Sequence, residues 1–399
     1  MRRQQTRALT IIAFAQLLAL SLWFSASAVA PQLRVAWGLD SGMEAWLTLA
    51  VQLGFVAGAV LSAVLNLADV VPGRRLFSVS AVGGALANLA LLTVDVSNPL
   101  LGIGLRFATG VFLAGVYPAG LKVLSGWFRE GRGRALGVMV GALTIGTASP
   151  HLVRGLGLDW QGVVVASSAL AFLAAGLLSR VGDGPYETSS QPFRWDQVSR
   201  VVANRGVRLS TYGYLGHMWE LYAMWTWIAT YLVASSDQAG SSYGSVSVIT
   251  FFVIAVGGLG SWWAGSLADR VGRTRVAGGA MVISGLCSLL TAAIFGASVW
   301  LILPVVLVWG VSIVADSAQF STMVTETAPD EVRGTALTLQ TALGFLLTMV
   351  TIKGVPVIAE ATGWRWAFPI LALGPILGVV AMVRLAHSPM SAQLAGGRG

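Results

Sequence analysis

The chain has 399 residues, 55% of them hydrophobic and only 11% charged, a balance that excludes an ordinary soluble domain. Its one cysteine, Cys287, excludes an internal disulfide and a thiolate metal cluster, and the three histidines at 151, 217 and 387 have no ligand spacing. The formal charge of +8 raises the question of a nucleic-acid surface, which the placement of the charges answers.

Crossing roughly 30 Å of hydrocarbon takes about 20 helical residues. Stretches of that scale run over residues 11–33, 43–67, 76–94, 100–124, 135–153 and 162–178. A polar segment follows, then 209–234, 246–267, 276–294, 299–323, 335–359 and 366–385. They predict an all-α membrane protein with twelve transmembrane helices. The 48 glycines suit helix backbones that pack closely in lipid.

Arg2, Arg3 and Arg7 precede a first span that ends Ala26-Ser27-Ala28-Val29-Ala30, a pattern shared with cleavable signal peptides. Its apolar run is longer than a signal core, so we read it as a retained span. With the amino terminus inside, the cytoplasmic segments hold 19 of the 25 Lys and Arg. Outside lie Arg34, Arg154, Lys353 and Arg365, while Arg106 and Lys122 fall within the fourth span. That asymmetry predicts both termini in the cytoplasm, at the cytoplasmic (inner) membrane. The basic charge is therefore topological and implies no nucleic-acid partner.

Residues 181–208 carry Gly182-Asp183-Gly184-Pro185, a Ser pair and several arginines, and read as a solvated cytoplasmic linker. Part of this segment, near 196–207, has the alternative of lying on the membrane surface. The linker separates a first unit, 1–180, from a second, 209–399. The units also share markers. Leu67-Ala68-Asp69 returns as Leu267-Ala268-Asp269, and Arg132-Gly133-x-Ala135-Leu136 returns as Arg333-Gly334-x-Ala336-Leu337. Nearly equal offsets suggest a duplicated six-helix bundle, the plan by which secondary transporters build a site open to either side.

Gly133, Gly137 and Gly141 share one face of the fifth span, and Gly257, Gly258, Gly260 and Gly265 lie in the eighth. Such stripes allow close helix approach. They serve either static packing inside one half or a smooth seam along which the halves rock.

At Gly265-Ser266-Leu267-Ala268-Asp269-Arg270-Val271-Gly272-Arg273-Thr274-Arg275 the chain resembles the signature loop of the major facilitator superfamily (MFS). The first-half counterpart, Asn66 to Arg75, is degenerate, with one extra residue before its glycine and no basic residue after Asp69. Leu105-Arg106-Phe107-Ala108-Thr109-Gly110 is similar to the fourth-helix arginine motif, and Gly146-Thr147-Ala148-Ser149-Pro150 only loosely similar to the fifth-helix pattern. The resemblance implies the MFS fold, two pseudo-symmetric bundles, and transport by alternating access. It also implies a cytoplasmic gate at Asp69, Arg74, Asp269, Arg270 and Arg273; the other reading of these charges is purely topogenic. Exposed ion pairs are worth roughly 0–1 kcal/mol, a scale suited to a latch that breaks every cycle.

Few ionisable residues lie deep in the predicted spans: Arg106, Lys122, Glu220 and Asp316, with His217 beside them. A mid-helix charge costs about 2.5–3.5 kcal/mol on insertion scales, so each needs a partner or a wet cavity. Glu220 sits roughly 16 Å along the seventh span, sharing a face with His217 and surrounded by Trp219, Tyr222, Trp225 and Trp227. A carboxylate whose hydration differs between two conformations loads and releases a proton. One charge crossing 100 mV carries about 2.3 kcal/mol, enough to drive such a cycle.

Glu220 or Asp316 is thus the candidate proton site, with Glu220 favoured by depth; the competing reading of Glu220 is a static bond to His217 or a backbone carbonyl. For Asp316 a gate or structural role stands beside it. Arg106 either binds a substrate carboxylate or oxyanion, or acts as a structural or proton-relay arginine. Lys122 either snorkels to the surface or meets substrate. Together Arg106, Lys122 and His217 lean towards a small anion or organic acid, while the aromatics suit proton-driven multidrug or metabolite efflux.

No Gly-x-x-x-x-Gly-Lys-Ser/Thr loop, metal motif or nucleophile elbow supports ATP use or an enzyme. A non-transporting sensor would want an output domain. The sequence implies no cofactor and no metal; the expected partners are a small solute, protons and the bilayer, with a monomer as the working unit.

Overall fold

In hydrocarbon every backbone N–H and C=O must find a partner within the protein, and a helix satisfies most of its own. The structure, a computed structural model, meets that demand with helices, and no strand occurs among the described residues. It describes residues 2–128, 132–182, 184–186 and 194–399. Within helices the side chains at 2, 41, 68, 69 and 132–134 are outside the described set. The gate assignment of Asp69 and the seam assignment of Gly133 therefore lie outside it.

The chain divides into two compact units, Met1–Ser190 and Gln191–Gly399. The first contains α1 (Arg2–Leu20), α2 (Ala30–Trp37), α3 (Ser41–Val64), α4 (Leu67–Val70), α5 (Gly73–Leu89), α6 (Pro99–Leu113), α7 (Tyr117–Ser125), α8 (Arg132–Gly155) and α9 (Trp160–Leu178). The second contains α10 (Val198–Ala203), α11 (Arg205–Ala239), α12 (Val246–Ala255), α13 (Gly257–Val271), α14 (Arg273–Ile294), α15 (Val299–Ala315), α16 (Ser317–Thr327), α17 (Asp330–Thr362) and α18 (Leu373–Ala386).

Ten helical segments among the described residues are long and apolar enough to cross a membrane. The chain is a multi-pass, all-α membrane protein. The first and seventh expected spans are helical too, as α1 and α11, but both fall short of that apolarity. Arginines and glutamines populate the start of α1, while α11 carries His217, Glu220 and several Trp and Tyr.

Helix starts follow local chemistry. The side chains of Asp40, Asp159 and Asn204 accept from the backbone N–H three residues on, at 2.7, 2.8 and 3.0 Å, capping α3, α9 and α11. Interruptions fall where the sequence weakens a helix. Residues 114–116 separate α6 from α7, where Pro118 takes a first-turn position. Val256 ends α12 before a Gly-Gly pair, and Asp316 separates α15 from α16.

The first span departs most from expectation. In place of one helix over 11–33, α1 starts at Arg2 and stops at Leu20, and a turn over 21–26 leads into a 3₁₀ turn and α2. A partner for the freed carbonyls comes from α6, as described below.

Close helix approach depends on glycine at two seams. A Cβ at Gly110 would lie 2.1 Å from the Val51 carbonyl oxygen, which locks α6 against α3. One at Gly216 would lie 2.4 Å from the Gly374 carbonyl oxygen, where α11 meets α18. In the described part of the expected linker Trp195, Arg200 and Val202 are exposed, and one short helix, α10, forms. Val201 of α10 is buried with Val207, Val324, Ala328, Val332 and Ala336 of the second unit.

Candidate functional site

The second unit gathers the deep titratable groups on α11. Glu220 is 1% exposed, with both carboxylate oxygens accepting from neutral donors. Trp309 Nε1 of α15 donates to Oε1 at 2.7 Å, and Ser284 Oγ of α14 donates to Oε2 at 2.9 Å. The Ser284 hydroxyl also reaches the Met281 carbonyl at 3.2 Å, so its one hydrogen is shared between two acceptors. Trp309 is itself fully buried, edge-on to Phe368 at 5.3 Å.

One turn earlier, His217 Nδ1 lies 2.8 Å from Asp316 Oδ1, with both side chains almost wholly buried. The contact is bent away from hydrogen-bond alignment. His217 Nε2 and Ser317 Oγ are 3.0 Å apart, and the ring forms a triangle with those of Tyr214 and Phe320, which also meet each other. His217 thus engages the α15–α16 interruption, not Glu220, although the two share a face of α11. Asp316 occupies that interruption, where the chain leaves helical hydrogen bonding for one residue.

The aromatics of α11 divide by role. Trp219 Nε1 donates to the Ile370 carbonyl at 3.1 Å and Trp227 Nε1 to the Ile352 carbonyl at 2.8 Å, which ties α11 to its neighbours. Tyr222 meets Trp225 edge-on at 5.5 Å and Phe345 at a tilt at 5.2 Å.

In the first unit Arg106 is fully buried on α6. Its Nε donates to the Leu47 carbonyl at 3.1 Å. One terminal nitrogen reaches the Leu22 carbonyl and Ser25 Oγ, both at 3.0 Å, and Asn88 Oδ1 at 3.3 Å; the other reaches the Trp23 carbonyl. Asn88 extends the network, accepting from Ser25 at 2.6 Å and donating to Ser168 and the Val164 carbonyl. The guanidinium fork therefore holds two carbonyls of the helix break, those of Leu22 and Trp23, against α3 at Leu47. Lys122 lies partly buried on α7.

A second cluster surrounds the loop between α13 and α14. Arg273 makes a bidentate pair with Glu326 of α16 at 2.7 and 2.8 Å, reaches Gln319 at 3.2 Å, and meets Asp269 at 3.1 Å. Arg270 is exposed and joins none of the described ion pairs. Arg74 lies partly buried on α5. The segment after α18 folds back over the same loop. Ala395 N donates to Glu326 at 3.2 Å, Arg398 to the Asp269 carbonyl, and Leu394 is buried beside Leu209, Phe320 and Leu385. Gly272 has φ of 107°, and a Cβ there would sit 2.5 Å from the carbonyl oxygens of Arg398 and Gly399. Only glycine fits that contact.

Sequence reasoning missed Glu326, Ser284, Trp309 and the carboxy-terminal strap, each brought in from far along the chain. Of the glycine stripes, Gly257 packs on Val314 and Gly310 of α15 within its own unit. Gly137 is buried and Gly141 partly so.

The model of the Major Facilitator Superfamily matches residues 12–351 and 219–398. The chain belongs to this superfamily. No curated protein matches the sequence. Among solved structures, a mutant of the nucleoside transporter NupG superposes with a TM-score of 0.69 at 15% identity, covering 95% of this chain and 99% of that one. A bacterial homolog of the human lysosomal transporter Spinster, inward-facing and occupied, superposes at 0.66 and 14% identity, covering 96% and 95%. At such identities the likeness is one of fold.

Proposed function

We propose that this MFS transporter is a proton-coupled secondary carrier of a small solute, with Glu220 as the proton site. It works by alternating access as a monomer in the cytoplasmic membrane, both termini inside. The observation that carries the proposal is the deep carboxyl of Glu220, held by one indole N–H and one shared hydroxyl. Permanently ionised buried carboxylates need cationic partners or metals. Here the described partners are neutral donors, which tolerate the acid and the carboxylate alike. The His217–Asp316 contact supplies a second titratable element one turn away, at a helix interruption suited to rearrangement.

In the same reading, Asp269, Arg273 and Glu326 form the cytoplasmic latch. Asp269, 60% exposed, is the weak member, and Arg273 with Glu326 the strong one. Anion specificity loses its main support, since Arg106 is committed to backbone carbonyls and His217 to Asp316.

Proteoliposomes loaded with a pH-sensitive dye test the coupling. Adding a panel of uridine, mannitol, benzoate and nitrate should produce proton movement with at least one solute in wild type. Glu220→Gln should keep solute flux down a concentration gradient but lose the proton signal. Full proton movement in that variant removes Glu220 from the role.

A further inference from the structure

After α18 the chain runs as irregular 3₁₀ turns over Pro389–Gly396. It then turns back sharply, the Leu394 carbonyl accepting from Gly397 N at 2.9 Å and Arg398 N at 3.1 Å. Among the described residues 389–399, Leu394 is the one fully buried side chain, at 0% exposure. It sits with Leu209 of α11, Phe320 of α16 and Leu385 of α18. Ala392, Gln393, Gly396, Gly397 and Arg398 are exposed. A strap anchored by one apolar side chain lies at the easily opened end of a protein's range of local stabilities.

Its polar contacts fall on the latch. Ala395 N donates at 3.2 Å to Oε2 of Glu326, the same oxygen that accepts from Arg273 Nε at 2.8 Å. Arg398 donates to the Asp269 carbonyl, and Thr274 Oγ1 donates to the Gly399 carbonyl at 2.8 Å. The strap therefore ties both ends of the α13–α14 loop, together with the α16 carboxylate that pairs with Arg273. Gly272 admits the strap by lacking a side chain, as described above. Ala395 closes it with φ of 48°, left-handed backbone that costs a residue with a Cβ and persists only where contacts hold it. The docked strap is seated but not relaxed.

We infer that this strap is a brake on the latch. Docked, it binds the α13–α14 loop to α16; unseating Leu394 frees the loop and speeds transport. A latch must break in every cycle, and each strap bond that joins its parts adds to what must be broken. A purely structural tail predicts the opposite sign, since its loss would weaken the unit and lower activity. The inference rests on the latch and transport readings above but not on Glu220 as the proton site.

Hydrogen–deuterium exchange of residues 266–276, recorded on the protein in lipid nanodiscs, measures the restraint without a substrate. Initial rates of uridine, mannitol, benzoate and nitrate entry into proteoliposomes measure the brake. Leu394→Asp expels the anchor, while Ala395→Pro removes the N–H to Glu326, forbids the left-handed turn and alters no fully buried side chain. Each should speed exchange of the loop about tenfold, the weight of one hydrogen bond to a charged group, and raise the rate for the solute that wild type carries. Ala395→Gly keeps the N–H and relieves the backbone, so it should slow both. Ala395→Pro decides the matter if Leu394→Asp proves unfolded. Unchanged loop exchange in Ala395→Pro, or faster exchange with flux unchanged or lowered, would overturn the inference. Loop exchange that responds while wild type moves none of the four solutes removes the transport reading instead and leaves the restraint standing.

Discussion

The break in the first span and the acidic centre of the second unit treat buried charge in opposite ways. Arg106 carries a charge it cannot lose, and the protein surrounds it with the carbonyls of Leu22, Trp23 and Leu47, with Ser25 and Asn88 beside them. Glu220 carries a charge it can lose, and the protein gives it two neutral donors, one of them shared. A permanent ion with saturated hydrogen bonds is a rivet. A titratable one with neutral partners is a switch, since both of its states find acceptable partners.

The comparison predicts a graded set of outcomes. The largest concerns the rivet. Arg106→Met leaves the Trp23 carbonyl without its described donor, at about 1–3 kcal/mol, while Leu22 keeps Ser25 Oγ and Leu47 stays inside α3; with the network around Ser25 and Asn88 also losing its cation, part of the folded population should be lost on size-exclusion chromatography. Arg106→Lys should recover only part of it, because one ammonium cannot span the fork. Near-wild-type melting of Arg106→Met would dissolve the contrast.

Next in size is the α11–α18 seam that holds the switch helix in place. Gly216→Ala forces a Cβ to 2.4 Å from the Gly374 carbonyl oxygen, and backbone must move. A cost of about 1–3 kcal/mol in thermal stability follows from overpacking. Smaller still is Arg273→Lys, which keeps a charge beside Glu326 but loses the bidentate geometry; about 1 kcal/mol or less is expected. Its readout is a changed ratio of inward to outward accessibility in cysteine-labelling experiments, with the melting temperature almost unmoved.

Much of this was legible along the chain. Apolar length gave the helices, and rarity in the spans singled out Arg106, His217, Glu220 and Asp316. The duplicated Leu-Ala-Asp motif marked the loop where Arg273 and Asp269 meet. Partners were not legible, because they come from distant segments. Arg106 meets carbonyls about 80 positions earlier, and no local pattern announces that a helix of Ser, Leu, Trp and Phe stops at Leu20. The competing reading of Glu220, a static bond to His217 or a backbone carbonyl, drew its histidine from helical spacing alone. Across the packing, Asp316 and Trp309 compete for those side chains, and interhelical geometry prevails over sharing a face.

Infrared spectroscopy of the carboxylic-acid carbonyl band, recorded on the protein in lipid through a pH titration, measures the switch without needing a substrate. A buried acid band that titrates in wild type, disappears in Glu220→Gln and survives in Asp316→Asn is the predicted result. Retention of that band in Glu220→Gln, or its loss in Asp316→Asn alone, would contradict Glu220 as the proton carrier.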